Sequence, residues 1–261
     1  MKRIITLTTD FGVKDHYVGV MKGVILSINP DALIVDITHE IPPHDVLKGA
    51  FTLRNFYRYF PEGTIHVVVI DPGVGSQRKP VAVEAEGNIF VGPDNGVFTF
   101  VYSGSKSFKV IEISNPIYTL ADVSSTFHGR DIFAPVAGYI SMGAPIEDLG
   151  KEVWSPVKLP IKEPQIRGNE IIGEVVYTDH FGNLVTNIPH DLVKSGSKIY
   201  IGKDMIKGIS RSYSEVPEGE LLAIIGSSGF LEISVNQGRA SDMIDLGDGT
   251  IIVLDDKAYV S

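Results

Sequence analysis

The chain has 261 residues, 43% of them hydrophobic and 21% charged, which predicts a soluble protein with a core large enough for one large domain or two small ones. Asp and Glu number 32 against 23 Lys and Arg, and the net charge of -9 disfavours nucleic acid and anionic membranes as partners. Cysteine is absent, which excludes disulfides, a thiolate nucleophile and a thiolate metal site.

The N-terminal segment predicts neither secretion nor membrane insertion. The stretch "MKRIITLTTDFG" begins with two basic residues, and its short apolar run is interrupted by threonines, unlike a signal peptide. No apolar run reaches the length of about 18 residues that a membrane-spanning helix needs. We therefore expect a cytoplasmic protein.

The first half of the chain alternates strand-like and helix-like segments. Strand, helix, strand, helix, strand with almost uninterrupted apolar strands is typical of a parallel sheet covered by helices on both faces. Asp45 is the predicted N-cap of the second helix. Three shorter strands and a closing helix with Pro135 in its first turn are predicted to follow. The five leading segments are residues 3–9, 17–28, 32–38, 45–60 and 65–70.

The pattern of predicted secondary structure changes near the middle of the chain and divides it in two. Residues 153–168 contain three prolines and little periodicity, which predicts a linker. We therefore expect an N-terminal α/β domain over residues 1–152 and a C-terminal domain over residues 169–261. The second half has short β-rich runs between Gly, Pro, Asn and Asp, with no convincing helix, which predicts a small antiparallel barrel or sandwich.

Three aspartates lie in or just after the predicted parallel strands, whose carboxyl ends form the edge where α/β sheets bind ligands. They are Asp10, Asp36 and Asp71. Asp10 and Asp71 are also explained by turn capping. Asp71 has more around it, because Pro72 fixes the backbone, two glycines allow close approach, and Arg78 follows near enough to hold the carboxylate ionised. The stretch lacks the spacing of a P-loop or a dinucleotide fingerprint.

Three other polar segments have both a structural and a functional interpretation. Residues 124–131, "SSTFHGRD", either cap the closing helix or present His128. Residues 177–187, "YTDHFGNLVTN", are rich in turn formers, and residues 226–229 are compatible with a simple hairpin. Each segment alone leaves both interpretations open.

A metal site was also considered around His39, His44 and Asp45. Pro42 and Pro43 break any helix that would place the two histidines one turn apart, so the zincin arrangement is excluded. We expect no bound metal.

Seven segments, in a fixed order, together carry a resemblance that none carries alone. Over essentially its whole length the chain resembles the S-adenosyl-L-methionine hydroxide adenosyltransferases, which are related to the fluorinase and chlorinase of actinomycetes. The segments are "TTDFG" (8–12), "HEIPPHDV" (39–46), "VVVIDPGVGSQRKP" (67–80), "GPDNGV" (92–97), "TFHGRDIFAP" (126–135), "DHFGNLVTNI" (179–188) and "GSSGFLEISVNQGRA" (226–240).

The resemblance implies an α/β N-terminal domain with a mostly parallel sheet and a C-terminal antiparallel β-barrel. It also implies a homotrimer whose active sites lie between the N-terminal domain of one subunit and the C-terminal domain of its neighbour. The implied enzyme is a hydrolase in which an activated water displaces methionine from C5' of S-adenosyl-L-methionine in an SN2 reaction. S-adenosyl-L-methionine is then the substrate, adenosine and L-methionine are the products, and no cofactor is needed.

The resemblance also assigns site residues. Asp71, Arg78 and His128 are the expected catalytic triad that positions and activates water, with Asp71 also touching the substrate, and Asp10 is the expected ligand of the ribose diol. The remaining contacts are expected from the neighbouring subunit. Asp179, Ser227 and Glu232 are assigned to the methionine end, and Phe181, Asn183, Tyr213 and the backbone near Val235 to the adenine pocket.

Two alternatives stand beside the hydrolase. The halogenating relatives have tyrosine and serine where this chain has Asp71 and Gly129, and they lack the Asp-His pairing. A protein that only binds S-adenosyl-L-methionine or adenosine needs no group that activates water. The complete triad therefore favours the hydrolase.

Overall fold

Two compact units, Met1–Leu159 and Pro160–Ser261, make up the computed structural model, which describes residues 3–244 and 251–255. The division falls inside the segment predicted to be a linker. Among the described helices, none has the length and apolar character that a membrane crossing requires.

A seven-stranded sheet forms the centre of the first unit. Its strands are β1 (Ile4–Thr9), β2 (Leu33–Thr38), β3 (Ile65–Val69), β4 (Pro80–Ala85), β5 (Asn88–Pro93), β6 (Phe108–Ile113) and β7 (Gly150–Glu152), in the order β2-β1-β3-β5-β4-β6-β7. The pairs β2-β1, β1-β3 and β3-β5 are parallel, whereas the pairs of β4, β6 and β7 are antiparallel. Five of the seven strands therefore point the same way, namely β2, β1, β3, β5 and β6, which confirms a mostly parallel sheet.

Helices cover both faces of this sheet, which explains why the sequence of β3 is almost entirely apolar. Val67 and Val69 pack in the core on the side of α1 (Tyr17–Ile28) and α4 (Ala134–Ser141). Val68 and Ile70 pack on the other side, with α2 (Val46–Phe56) and α3 (Thr99–Gly104). Because successive side chains of a strand point to opposite faces, burial of both faces favours apolar residues along the whole strand. The exception in β3 is the buried His66, whose Nδ1 lies 2.8 Å from the Thr6 hydroxyl oxygen.

The predicted helices are confirmed in place. Helix α1 spans the predicted residues 17–28, and the Asp45 carboxylate caps α2 by accepting from the Lys48 N–H at 2.8 Å. Helix α2 ends at Phe56 and a short 3-10 turn follows it. Helix α3 is not predicted by the sequence, because it has only six residues and its N-cap is Phe98, whose side chain cannot accept a hydrogen bond.

The second unit is an antiparallel β unit around its own apolar core, as the β-rich texture predicts. All described pairings between its strands are antiparallel. The strands are β8 (Gln165–Arg167), β9 (Glu170–Thr178), β10 (Leu184–Pro189), β11 (Lys198–Ile201), β12 (Asp204–Lys207), β13 (Leu221–Ile225), β14 (Phe230–Val235) and β15 (Ile251–Asp255). A short helix, α5 (Ala240–Met243), lies between β14 and β15.

Candidate active site

A cleft of about 710 Å³ opens at the carboxyl ends of β1 and β3 in the first unit. Asp10 enters it from the turn after β1, and Asp71 from the turn after β3. The segment before α4 closes a third side with His128. The sheet therefore brings together three polar residues that are far apart in sequence, at the edge where α/β folds bind ligands.

Asp71 and Arg78 form a buried, two-point ion pair in this cleft. The Arg78 Nε donates to Oδ1 of Asp71 at 3.0 Å, and its Nη2 donates to Oδ2. The two side chains are only 6% and 5% exposed. Burial raises the pKa of Asp71 above its ordinary value, although the Arg78 charge and hydrogen bond act in the opposite direction. The fork geometry of the guanidinium fixes the plane of the carboxylate.

His128 joins the same arginine, and this contact settles the position of its ring proton. The Arg78 Nη2 lies 2.9 Å from Nδ1 of His128. A guanidinium can only donate, so Nδ1 must accept and the proton of the neutral ring lies on Nε2. Burial and the Arg78 charge lower the pKa of His128 below its ordinary value. The imidazole is therefore neutral at pH 7, with its donor on Nε2.

The loops that carry these groups are tied to each other. Asp131 is completely buried, and its carboxylate accepts from the Ser124 N–H at 2.9 Å and from Arg130, which holds the segment ahead of α4. Gly75 has a φ of +75°, and a Cβ there would lie 2.3 Å from the Ser125 carbonyl oxygen. Only glycine lets the turn after β3 approach the segment of His128 this closely.

Asp10 is held at one oxygen. Its Oδ2 accepts from the backbone N–H of His44 at 2.9 Å, and both residues line the cleft. The residues considered for a metal site are engaged separately. Asp45 caps α2, and the His39 ring contacts Thr9 and Asp36.

A second cleft of about 600 Å³ lies in the second unit, and it unites the four residues assigned to the adenine pocket. Phe181, Asn183, Tyr213 and Val235 all line it, and the Phe181 side chain is 71% exposed. Asp179 holds Asn183 in place, because its two carboxylate oxygens accept from the backbone N–H and the side-chain amide of Asn183, each at 2.9 Å.

Ser227 and Glu232, which were assigned to the methionine end, line neither cleft. Ser227 is exposed in the turn between β13 and β14. Glu232 is buried, and its Oε1 accepts from the Tyr213 hydroxyl at 2.9 Å and from the Ser234 hydroxyl at 2.8 Å. In this arrangement Glu232 supports the ring of Tyr213.

The sequence interpretation missed an aromatic group on the wall of the first cleft. The Tyr17 and Phe127 rings meet edge to face at a centroid distance of 5.2 Å, and Phe11 lies 5.8 Å from Phe127. The Arg130 guanidinium covers the Phe127 ring at 5.2 Å. The available signal was adjacency, since Phe11 and Phe127 immediately follow or precede residues assigned to the site.

Models of one family match both halves of the chain. The model described as SAM hydroxide adenosyltransferase N-terminal domain matches residues 5–150, and the corresponding C-terminal domain model matches residues 173–253. The chain belongs to the SAM hydroxide adenosyltransferase family.

Two kinds of named enzyme are found among the relatives of this chain. A (R)-S-adenosyl-L-methionine hydrolase from Methanocaldococcus jannaschii is 39% identical over 93% of this chain and 92% of its own. A fluorinase from Nocardia brasiliensis is 29% identical over 89% of this chain and 90% of its own. The crystal structure of an uncharacterized conserved protein from Thermotoga maritima, 41% identical, superimposes with a TM-score of 0.90 over 96% of this chain and 99% of its own.

The contact between Arg78 and His128 predicts how the histidine titrates. Nitrogen NMR of the imidazole should show the proton on Nε2 at neutral pH, and His128 should become charged only below its ordinary pKa of about 6.5. A His128→Gln variant assigns the signal. A proton on Nδ1 at pH 7, or a pKa above 6.5, would contradict the geometry.

Proposed function

We propose that this family member hydrolyses S-adenosyl-L-methionine to adenosine and L-methionine, with water attacking C5' of the ribose. The observation that carries the proposal is that Asp71 and His128 line the cleft while the buried Arg78 side chain binds both of them. The name of the Methanocaldococcus jannaschii relative supports the same reaction.

The chemistry needs little more than a positioned water and a base. The sulfur of a sulfonium leaves as a neutral thioether, so no acid has to protonate it. The enzyme must align water opposite the C5'-S bond and remove one proton. As the O–C5' bond forms and the C5'-S bond breaks, the proton passes to a carboxylate and the positive charge on sulfur disappears.

We infer that Asp71 receives this proton. Each carboxylate oxygen has two acceptor positions, and Arg78 occupies one on each, so Asp71 can still accept a hydrogen bond from water. Burial raises its pKa, which strengthens it as a base. Nδ1 of His128 is occupied by Arg78, so His128 is left with a donor at Nε2 that can orient the water oxygen.

A halogenase fits this cleft less well. The Asp71–Arg78 pair carries no net charge, so this part of the site offers a halide ion no unpaired positive charge. A protein that only binds the substrate does not need a group that activates water. Burying the Asp71–Arg78 ion pair costs desolvation free energy, which such a protein would spend without using the carboxylate.

We propose further that the protein acts as a homotrimer with shared active sites. The residues assigned to substrate are divided between the first cleft, with Asp10 and Asp71, and the second cleft, with Phe181 and Asn183. A trimer in which the second unit of one subunit completes the first cleft of its neighbour would unite them. We propose separately that the antiparallel strands of the second unit close into a barrel, since β12 and β13, at the two ends of its strand order, contact each other.

The reaction is tested by its products. Purified protein is incubated with S-adenosyl-L-methionine, with and without chloride, and the mixture is separated by chromatography. We expect adenosine and methionine in equal amounts, independent of chloride. Formation of 5'-chloro-5'-deoxyadenosine would support the halogenase instead, and unchanged substrate would support a binding protein.

Replacing the proposed base should abolish turnover without abolishing binding. Asp71→Asn keeps the shape and removes the charge, so kcat should fall by about 10²- to 10⁴-fold while substrate affinity changes little. Asp45→Ala is the control, since Asp45 caps α2, and it should cost about 1 kcal/mol of stability with kcat unchanged. Wild-type turnover by Asp71→Asn would show that the carboxylate is structural.

The shared site predicts complementation between two inactive variants. Asp71→Asn damages the first cleft, and Asn183→Ala damages the second. After subunits are mixed and allowed to exchange, some interfaces pair an intact first cleft with an intact second cleft, and part of the activity should return. If exchange is demonstrated by mass spectrometry and no activity returns, the shared-site arrangement is wrong.

A further inference from the structure

We propose that Thr9 and His39 are positioning residues that hold Asp10 in the orientation in which it accepts the ribose hydroxyls. The inference rests on the proposed function, because it takes Asp10 as the ligand of the ribose diol. It is carried by a chain of hydrogen bonds and ion-pair contacts behind the cleft, which runs from the turn of Asp10 to the surface of the first unit.

His39 is attached to the turn of Asp10 through both its side chain and its backbone. The Thr9 hydroxyl is completely buried at the end of β1, and it lies 2.9 Å from Nδ1 of His39. The same hydroxyl oxygen accepts from the Phe11 N–H at 3.3 Å. The Gly12 N–H donates to the His39 carbonyl oxygen at 2.7 Å. Residues on both sides of Asp10 are therefore tied to one histidine.

The surroundings of the His39 Nε2 atom indicate which groups donate and which accept in this series of hydrogen bonds. Its Nε2 lies 3.1 Å from Oδ1 of Asp36 as an ion-pair contact without the alignment of a hydrogen bond, and Oδ2 of Asp36 accepts from Lys22 at 2.5 Å. Burial alone would raise the pKa of Asp36, but the contacts with Lys22 and His39 lower it overall, so the carboxylate is ionised at neutral pH. A negative charge this close to Nε2 favours the proton on that nitrogen, and in this tautomer Nδ1 accepts from the Thr9 hydroxyl.

The Thr9 hydroxyl is thereby matched on both sides. It donates to His39 and accepts from the N–H of Phe11. Both its donor and an acceptor position are therefore used within the protein. A hydroxyl engaged in two directions restrains the backbone on either side of Asp10 more than a single bond would.

The loop that contains His39 also binds the Asp10 carboxylate directly, through His44. His44 donates its N–H to Oδ2 of Asp10 with a φ of +69°, a conformation that costs a non-glycine residue free energy. Within the described part of the chain, Oδ1 of Asp10 has no protein donor, and Asp10 lines the cleft. One carboxylate oxygen is thus held by backbone, and the other is left for a hydroxyl donor from the ligand.

The adjacent residue provides a matched control. Thr8 lies on the same strand and is as buried as Thr9, but its hydroxyl has no hydrogen-bond partner among the residues that the structure describes. Replacing Thr8 by valine removes a hydroxyl without removing a contact. Thr9→Val has the same shape change and removes the link to His39, whereas Thr9→Ser keeps it.

The test measures binding of adenosine and of 2',3'-dideoxyadenosine by calorimetry. Thr9→Val should weaken adenosine about tenfold, since orientation of a charge-assisted hydrogen bond is lost, and should leave the dideoxy ligand unchanged. Thr9→Ser and Thr8→Val should bind both ligands as the wild type does. His39→Ala should reproduce Thr9→Val, and the double variant should be no weaker than either single variant.

Two results would overturn the proposal. Equal weakening of both ligands by Thr9→Val would mean that Thr9 supports the fold of the cleft alone, and wild-type adenosine binding would mean that the link is unimportant. Asp10→Ala separates this failure from that of the ribose assignment. If Asp10→Ala affects only adenosine while Thr9→Val affects neither ligand, the ribose assignment stands and the positioning role fails. If Asp10→Ala does not distinguish the ligands, both fail.

Discussion

The buried ion pair between Asp71 and Arg78 is the interaction on which the site depends. A carboxylate that is 5% exposed would be too costly without a partner, and a single guanidinium satisfies both of its oxygens. The rest of the first unit serves this pair. Strand β3 is buried on both faces, so Asp71, two residues beyond its end, has a fixed place at the edge of the sheet. The same arginine then orients His128, so one cation sets the geometry of two neighbours.

Pairing also shapes the chemistry that the two neighbours can perform. Arg78 leaves lone pairs on Asp71 but occupies the only acceptor nitrogen of a neutral His128. A residue that resembles a general base in the sequence therefore becomes a donor in the structure. Burial acts in the same sense on both groups, since it raises the pKa of Asp71 and lowers that of His128. Both shifts favour the uncharged form, which suits a cleft that exchanges a water proton with a carboxylate.

Sequence reasoning located the elements with strong periodicity and the partners that are close in the chain. Helix α1, strand β3 and the cap at Asp45 were all predictable, because each depends on local pattern. Asp71 and Arg78 are separated by seven residues, so their pairing could be anticipated. The contact of Arg78 with His128 spans fifty residues and depends on the sheet order, which composition does not reveal.

The contacts that escaped prediction are those that depend on a particular atom. Glu232 was assigned to the substrate because of its motif, yet its carboxylate lies against the Tyr213 hydroxyl. Thr9 was overlooked because a threonine in a strand needs no explanation, and only its contacts with His39 and the Phe11 N–H distinguish it from Thr8. Supporting residues of this kind share the burial and the composition of ordinary core positions, so pattern alone cannot separate them.

If water held at Asp71 attacks C5' directly, as proposed, the water oxygen must end in the adenosine product. The reaction is run in water enriched in oxygen-18, and adenosine is analysed by mass spectrometry after fragmentation. The account predicts one heavy oxygen in the 5'-hydroxyl of adenosine and none in methionine. Adenosine without the label, or 5'-methylthioadenosine as the nucleoside product, would contradict it.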